Sequence, residues 1–306
     1  MTRQKLQGST LDQSEQVVIY GANGWMGRSA LDFISSLKPT IAKEKILLIG
    51  SKSGFLNLNG SKHEIVAPST GIASIREGAI FFNAAFLRRE LLQKMTPEEY
   101  LHKNNEIVAL AKSAIKEKKL LSFINLSSGV ARDFDHEIQI KPSDEYSRLK
   151  KSLEIEYSEY CSQNQTAIVN CRIFSLTGRH LNEFDNLAIS SFVYQAKTKN
   201  QIDVNSPTTK RTYLDATDLA GTLLSIAALG KDASFDSGGE LVTMRQLAER
   251  VLSGLGKDVS ALALGDIESP DYFGEFEKFN SLASEMGQNL LGIEDQIANT
   301  LDAFNG

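Results

Sequence analysis

Tyr146 and Lys150 stand four residues apart in Tyr146-Ser147-Arg148-Leu149-Lys150, a spacing that puts both side chains on one face of a helix. Of the eight tyrosines in the chain, Tyr146 alone has a lysine at that distance. An ammonium group so placed favours the phenolate and draws the tyrosine down from its reference pKa of about 10. A phenol tuned in this way can exchange a proton with a carbonyl or hydroxyl while a hydride moves. Ser127 and Ser128 end the preceding apolar run and supply a hydroxyl to hold the reacting oxygen, because ligands of a doubly wound sheet bind at the carboxyl ends of its strands. Either serine can fill that place, and the competing use of the pair is a helix cap or turn.

A second set lies near the N-terminus. The apolar run Val17-Val18-Ile19-Tyr20 enters Gly21-Ala22-Asn23-Gly24-Trp25-Met26-Gly27, with a helical pattern beyond. Gly21 permits a tight turn off the strand, Gly24 lets backbone approach a pyrophosphate, and Gly27 lets helix pack closely on strand. The helix then offers the anion its free N–H groups and the positive end of its dipole. The spacing GxxGxxG differs from the GxGxxG of most dehydrogenases.

The cofactor is argued from the end of the second strand, where a carboxylate would accept from the adenosine ribose of NAD and repel the 2′-phosphate of NADP. The chain has Gly50-Ser51-Lys52-Ser53 there and no acid. Ser51 can donate to a phosphate and Lys52 can pair with it, so NADP(H) is expected ahead of NAD(H). NADPH mostly serves reductions, which favours a reductase.

Positioning these groups takes alternating strands and helices. Strands are expected at Val17–Tyr20, Lys45–Ile49, His63–Ala67, Ala79–Asn83, Leu121–Leu126 and Ala167–Phe174. Helices are expected at Met26–Ser36, stopped ahead of Pro39, at Glu98–Lys118, and at Tyr146–Ser162. Such alternation implies an α/β fold with a doubly wound parallel sheet and right-handed crossovers. The span between the second and fourth strands is short for a full helix. After Phe174 the pattern loosens, and a substrate-recognising lobe is expected there. Residues 1–15 are polar and read as a loose tail, 16–175 as the dinucleotide-binding domain, and 176–306 as the smaller lobe.

A hydrophobic fraction of 42% is ample for a buried core, and a net charge of −5 argues against a nucleic-acid or anionic-membrane partner. The densest basic run, Lys116-Glu117-Lys118-Lys119, reads as a solvated helix end. Met1–Glu15 lacks the apolar centre of a secretory signal and no run reaches transmembrane length, so a cytoplasmic protein is expected. The two cysteines, Cys161 and Cys171, lack CxxC spacing, and the four histidines, His63, His102, His136 and His180, are scattered, so no metal is expected.

Together these residues resemble the extended short-chain dehydrogenase/reductase family, in its nucleotide-sugar epimerase, dehydratase and reductase branch. Gly21–Gly27 is similar to that family's glycine turn, Asn83-Ala84-Ala85 to its post-strand cofactor motif, Asn104 to its helix asparagine, and Ser127-Ser128 with Tyr146 and Lys150 to its catalytic set. Arg172-Ile173-Phe174-Ser175-Leu176-Thr177-Gly178 resembles the R-x-F-x-x-x-G segment beside the nicotinamide. Lys210-Arg211-Thr212-Tyr213 opens a stretch similar to the one returning to the nucleotide-binding lobe, here about 208–230. The resemblance implies a Rossmann fold with Gly21, Asn23, Gly24, Trp25, Met26, Gly27, Ser51, Lys52, Asn83, Ala84, Ala85, Asn104, Phe174 and Ser175 at the cofactor. Lys150 would also reach the nicotinamide ribose beside Tyr146, and Arg211 would grip a nucleotide diphosphate, with Ser128 on the substrate carbonyl. It further implies a homodimer through helices near 105–117 and 145–162. Ser128 is followed by Gly129 and Val130 rather than the Asp-Glu pair of the family's dehydratases, which disfavours that reaction. The expectation is an NADP(H)-dependent reductase of a nucleotide-linked keto sugar. A nucleotide-sugar epimerase holding its NAD(P) tightly, a catalytically silent NADP sensor, and a reductase of non-sugar carbonyls are the alternatives.

Overall fold

The computed structural model describes Leu11 and residues 14–37, 41–135, 145–181 and 187–305. Most of the expected N-terminal tail, Pro39 and His136 lie outside the described residues. The chain forms two compact units, one running to Arg172 and taking in Ala220–Phe235, the other made of Ile173–Leu219 and the chain from Asp236 onward.

The first unit follows the order β1 (Val17–Tyr20), α1 (Trp25–Ser36), β2 (Ile46–Ile49), β3 (Gly54–Leu58), β4 (Ser61–Ile65), α2 (Pro68–Ala73), β5 (Ile80–Asn83), α3 (Pro97–Lys118), β6 (Ser122–Ser128), α4 (Glu145–Gln163) and β7 (Ala167–Ile173). Its six-stranded sheet has the order Ala233–Asp236, β7, β6, β5, β1, β2, and β1 pairs in parallel with both β2 and β5, as does β5 with β6. The jump from β1 out to β2 on one side and across to β5 on the other is the doubly wound arrangement, with strand ends aligned so that Tyr20 faces Asn83 and Asn83 faces Asn125.

Each helix has a visible cause. In α1 the residues Ala30, Leu31, Phe33 and Ile34 form the buried stripe, and in α3 Thr96 and Glu99 make a reciprocal capping box with Pro97 in the first turn. Lys119, at φ 43°, ends α3 in the left-handed region, with Lys116 and Lys118 in its last turn. The strands bury an aromatic ladder, Phe81 stacked on Phe123 at 5.5 Å and Phe123 tilted on Tyr157 at 4.8 Å, so α4 is locked to the middle of the sheet.

The expected single strand at His63–Ala67 is instead the second arm of an antiparallel hairpin, β3 with β4, and only Val66 bridges in parallel to Ile49. Asn59 and Gly60, at φ 49° and 74°, form its two-residue turn, for which both residues need positive φ. The crossover that was too short for a full helix holds this hairpin and the six-residue α2.

The second unit contains a three-stranded sheet, Glu240–Thr243, Lys210–Asp215 and Ser175–Thr177, and a two-stranded one, Leu262–Leu264 with Ile202–Val204. Helices Ala188–Thr198 and Met244–Gly254 pack their apolar faces into its core through Phe192, Val193, Leu247 and Val251. Among the described residues no helix is long and apolar enough to cross a membrane, and no group of three His, Cys, Asp or Glu could hold a metal ion. Cys161 and Cys171 are both buried free thiols.

Candidate active site

The glycine turn is closed by backbone contacts that forbid side chains. Gly21 sits at φ +90°, and a Cβ on it would lie 2.6 Å from the Ala85 nitrogen. A Cβ on Gly27 would overlap the Gly21 carbonyl oxygen and stand 2.7 Å from the Ala22 Cα, so only glycine lets α1 approach β1 this closely. At Gly24, by contrast, a Cβ would meet only the Gly21 oxygen at 3.3 Å. Gly24 caps α1 without any side-chain hydrogen bond, which leaves the helix N-terminus open to an anion. Two buried polar atoms have no partner among the described residues, the indole Nε1 of Trp25 in the turn and the Oδ1 of Asn83, which pairs with Tyr20 across the sheet. Unpaired atoms of this kind are costly unless a ligand satisfies them, so the residues present fit a dinucleotide.

Asn104 is fully buried, and both ends of its amide serve backbone: Oδ1 accepts from Leu87 N at 3.0 Å and Nδ2 donates to Tyr100 O at 3.0 Å. It shapes the stretch after Asn83-Ala84-Ala85. Ser51 and Lys52 are exposed at the end of β2, whereas the Ser53 hydroxyl accepts from Ala67 N at 3.0 Å.

On α4, Tyr146 and Lys150 share a face, with the Lys150 Nζ 5.9 Å from the Tyr146 ring centre. Lys150 is buried and donates to the Leu126 carbonyl at 2.9 Å. Phe86, which sequence reasoning passed over, joins the two: its ring lies 3.5 Å beneath the ammonium and packs edge-on to Tyr146 at 5.9 Å. An aromatic directly after Asn83-Ala84-Ala85 was the available signal. Burial pulls Lys150 down to about 7, against the nearby Glu154 carboxylate, which pulls it up. The charge expected to act on Tyr146 is therefore itself lost as pH rises through neutrality.

The two serines are not equivalent. Ser127 is buried and donates to Glu154 Oε1 at 2.5 Å. Ser128 is half-buried, and its hydroxyl makes no hydrogen bond within the described residues, not even as a cap for the 3-10 turn Gly129–Phe134 that it precedes. Glu154 also accepts from Arg172 through Nε at 2.8 Å and Nη2 at 2.7 Å. Arg172 and Lys151 both pair with Asp135, just beyond the turn. Two acids and two bases thus tie β6, the turn after it, α4 and β7 together. Glu154 lies four residues after Lys150, a spacing that could have flagged it.

Within the second unit, Phe174 packs on Tyr272 at 4.9 Å, and the neighbouring Ser175 begins a strand paired to Lys210–Asp215. Arg211 lines a cavity of about 240 Å³ with Phe192, Gln195, Asp203, Asn205 and Met244. Its Nε is buried and has no hydrogen-bond partner among the described residues.

The family described as NAD dependent epimerase/dehydratase matches residues 17–235. No curated protein matches the chain by sequence. Similar solved structures include a UDP-N-acetylglucosamine 4-epimerase from Methanobrevibacter ruminantium M1 in complex with UDP-N-acetylmuramic acid, at TM-score 0.72 and 16% identity over 95% of this chain and 98% of that one. DesIV, a dTDP-glucose 4,6-dehydratase from Streptomyces venezuelae with NAD bound, aligns at TM-score 0.70 and 13% identity, covering 95% and 97% of the two chains. A UDP-glucuronic acid 4-epimerase from Bacillus cereus in complex with UDP-glucuronic acid and NAD aligns at 0.69 and 13%, covering 95% and 99%. At these identities the likeness is one of fold.

Proposed function

Because the chain belongs to the NAD dependent epimerase/dehydratase family, we propose that it is an NADP(H)-dependent reductase of a nucleotide-linked keto sugar. The observation that carries the chemistry is the Tyr146–Lys150 pair with the uncommitted Ser128 hydroxyl at the end of β6. The nicotinamide, when bound, supplies the hydride. Tyr146 gives its phenolic proton to the substrate carbonyl oxygen, and Lys150 stabilises the phenolate that remains. Ser128 donates a hydrogen bond to the same oxygen; Ser127, held by Glu154, does not. Asn83 and the N-terminus of α1 with Gly24, Trp25 and Met26 hold the dinucleotide. A homodimer through α3 and α4 is proposed on the same footing, with Ile155, 51% exposed on α4, as apolar surface to be covered. A nucleotide-sugar epimerase is distinguished by cofactor that survives gel filtration and shows no net turnover.

The absence of an acid among Gly50-Ser51-Lys52-Ser53 supports NADP(H), although the neighbouring structures named above that carry a cofactor hold NAD. Calorimetric titration should show NADPH binding more tightly than NADH, and Lys52→Ala should narrow the gap by on the order of 1 to 3 kcal/mol for a well-desolvated contact, less for an exposed one. Equal or tighter binding of NADH by the unmodified protein overturns the preference.

Nucleotide-sugar ligands in neighbouring structures and the unpaired Arg211 Nε support the substrate class. A guanidinium fork binds two phosphate oxygens at once. Arg211→Ala should raise KM for the nucleotide sugar by about one to two orders of magnitude and leave NADPH affinity alone, the pattern of lost uniform binding. UDP, GDP, CDP and dTDP should compete with substrate, one better than the rest. If none of the four binds the NADP-loaded protein at millimolar concentration, the substrate is a non-sugar carbonyl.

A further inference from the structure

We propose that Phe86 is a positioning residue whose ring keeps the buried Lys150 ammonium charged beside Tyr146, an inference that rests on the Tyr146–Lys150 mechanism above. A lysine taken out of water needs partners for its three N–H groups, or it gives up its proton. Among the described residues Lys150 makes one hydrogen bond, to the neutral Leu126 carbonyl at 2.9 Å, and no ion pair. Glu154, one turn along α4, is the acid that acts on it, but both carboxylate oxygens are engaged elsewhere. Oε1 accepts from Ser127 Oγ and Arg172 Nε, and Oε2 accepts from Arg172 Nη2 at 2.7 Å with Lys151 Nζ at 3.7 Å. What remains is the Phe86 ring, whose centre lies 3.5 Å from the Lys150 Nζ, well inside the distance at which the negative face of a π system attracts a cation. Such a contact is strongest where water is excluded, and Lys150 is buried.

The ring is fixed from α3. Leu87, the next residue, donates its N–H to Asn104 Oδ1 at 3.0 Å and accepts from the Tyr100 hydroxyl at 2.6 Å, while Phe86 itself stands edge-on to the Tyr100 ring at 6.5 Å. Its other edge-on contact is with Tyr146, so one ring touches both members of the pair. The same stretch brings the Arg89 guanidinium 6.0 Å from the Tyr146 ring centre, and Arg89 and Glu90 both act on Tyr100, whose phenol burial holds neutral. An arginine stays charged at any working pH, so of the two cations beside Tyr146 it is Lys150 whose charge can be lost. Burial already draws Lys150 down to about 7. The ring acts on it in two ways of opposite sign: as a wall against water it favours the neutral amine, and as a π face it favours the ammonium. Leucine keeps most of the wall and has no face.

The test follows the Lys150 Cε resonance of the full chain through a pH titration by NMR, assigned by its loss in Lys150→Met. Phe86→Leu should move the midpoint down by about one pH unit, as for a lost cation–π contact in a desolvated site. Fluorophenylalanines carrying one, two and three ring fluorines at position 86 drain the face with little change of shape, and they should lower the midpoint stepwise even if the leucine variant folds poorly. Lys150 is charged below its midpoint and neutral above it, so Phe86→Leu should cut kcat by about tenfold at pH 8 and by no more than about twofold at pH 6. A midpoint that is unmoved or raised in Phe86→Leu, or that ignores fluorination, makes the ring a wall against water only and overturns the proposal. A midpoint that falls while kcat keeps the pH profile of the parent upholds the hold of the ring on Lys150, and overturns instead the part given to Lys150 in the mechanism beneath it.

Discussion

Tyr146→Phe should lower turnover of a nucleotide-linked keto sugar by about two to four orders of magnitude, the worth of a positioned general acid, while the fold and the affinity for NADPH stay as they were. Only the phenolic oxygen is removed. The ring keeps its edge-on contact with Phe86, and Lys150 keeps its bonds to the Leu126 carbonyl and the Phe86 face. Lys150→Met should differ in kind, because it removes an ammonium expected both to stabilise the phenolate and to meet the nicotinamide ribose. It should depress turnover and cofactor binding together. A nicotinamide absorbance assay under saturating NADPH separates the two variants, and a Tyr146→Phe protein close to the parent in rate would take Tyr146 out of the mechanism.

Glu154→Ala should cost on the order of 3 kcal/mol of folding stability, as expected when one partner is removed from a buried ion pair. Its side chain is 11% exposed and serves Ser127 and the Nε/Nη2 edge of Arg172. Without it a buried hydroxyl and half of a guanidinium lose their acceptors, though Arg172 keeps Asp135. Lys119→Ala is the control: its pair with Glu77 is 77% and 72% exposed and should be worth no more than about 0.5 kcal/mol. Urea unfolding of the two variants, with m-values checked, reads the difference. Equal midpoints would mean that the cluster contributes no more than a surface pair. The same cluster has an acid limit. Arg172, and after it Lys151, hold the Asp135 carboxyl at about 2, below its ordinary 3.8. Its contribution is therefore complete above about pH 4 and lost as pH falls towards 2.

Legibility in the sequence followed the range of the interactions. The glycine turn was readable because strand, turn and helix are contiguous, and Gly27 answers to a backbone clash with Gly21 and Ala22 a few residues away, whereas the clash that Gly21 avoids is with the distant Ala84 and Ala85. The Tyr146–Lys150 pair was readable from helical spacing alone. Ser127 and Ser128 could not be told apart, because what separates them is a carboxylate 27 positions further on. The pairing of Asp135 with Arg172 went unnoticed for the same reason, the two being 37 positions apart. The β3–β4 hairpin is a different kind of miss. Its signal was local, Asn59-Gly60 between alternating residues, but β4 is so polar that only its last residues looked like strand. The strand Ala233–Asp236 was hidden because Ala-Ser-Phe-Asp carries a single large apolar residue, where the equally short β1 and β2 are apolar throughout.

The nucleotide-binding sheet recruits that strand long after the rest of itself. Ala233–Asp236 forms its outermost position beside β7, and the segment leading there is secured by Ser122 Oγ donating to Ala227 O at 2.7 Å and by Asp232 accepting from Ile168 N at 2.9 Å. During synthesis, then, the ribosome must add some sixty more residues after β7 before its free edge can be covered. Until then an apolar strand offers unpaired backbone groups to any neighbouring nascent chain. A fragment ended near residue 175 keeps every glycine of the turn after β1 and every catalytic candidate on β6 and α4, yet would carry that open edge permanently. Such a fragment should aggregate when expressed alone, and a dinucleotide-binding domain taken from this protein has to be spliced from two stretches of chain.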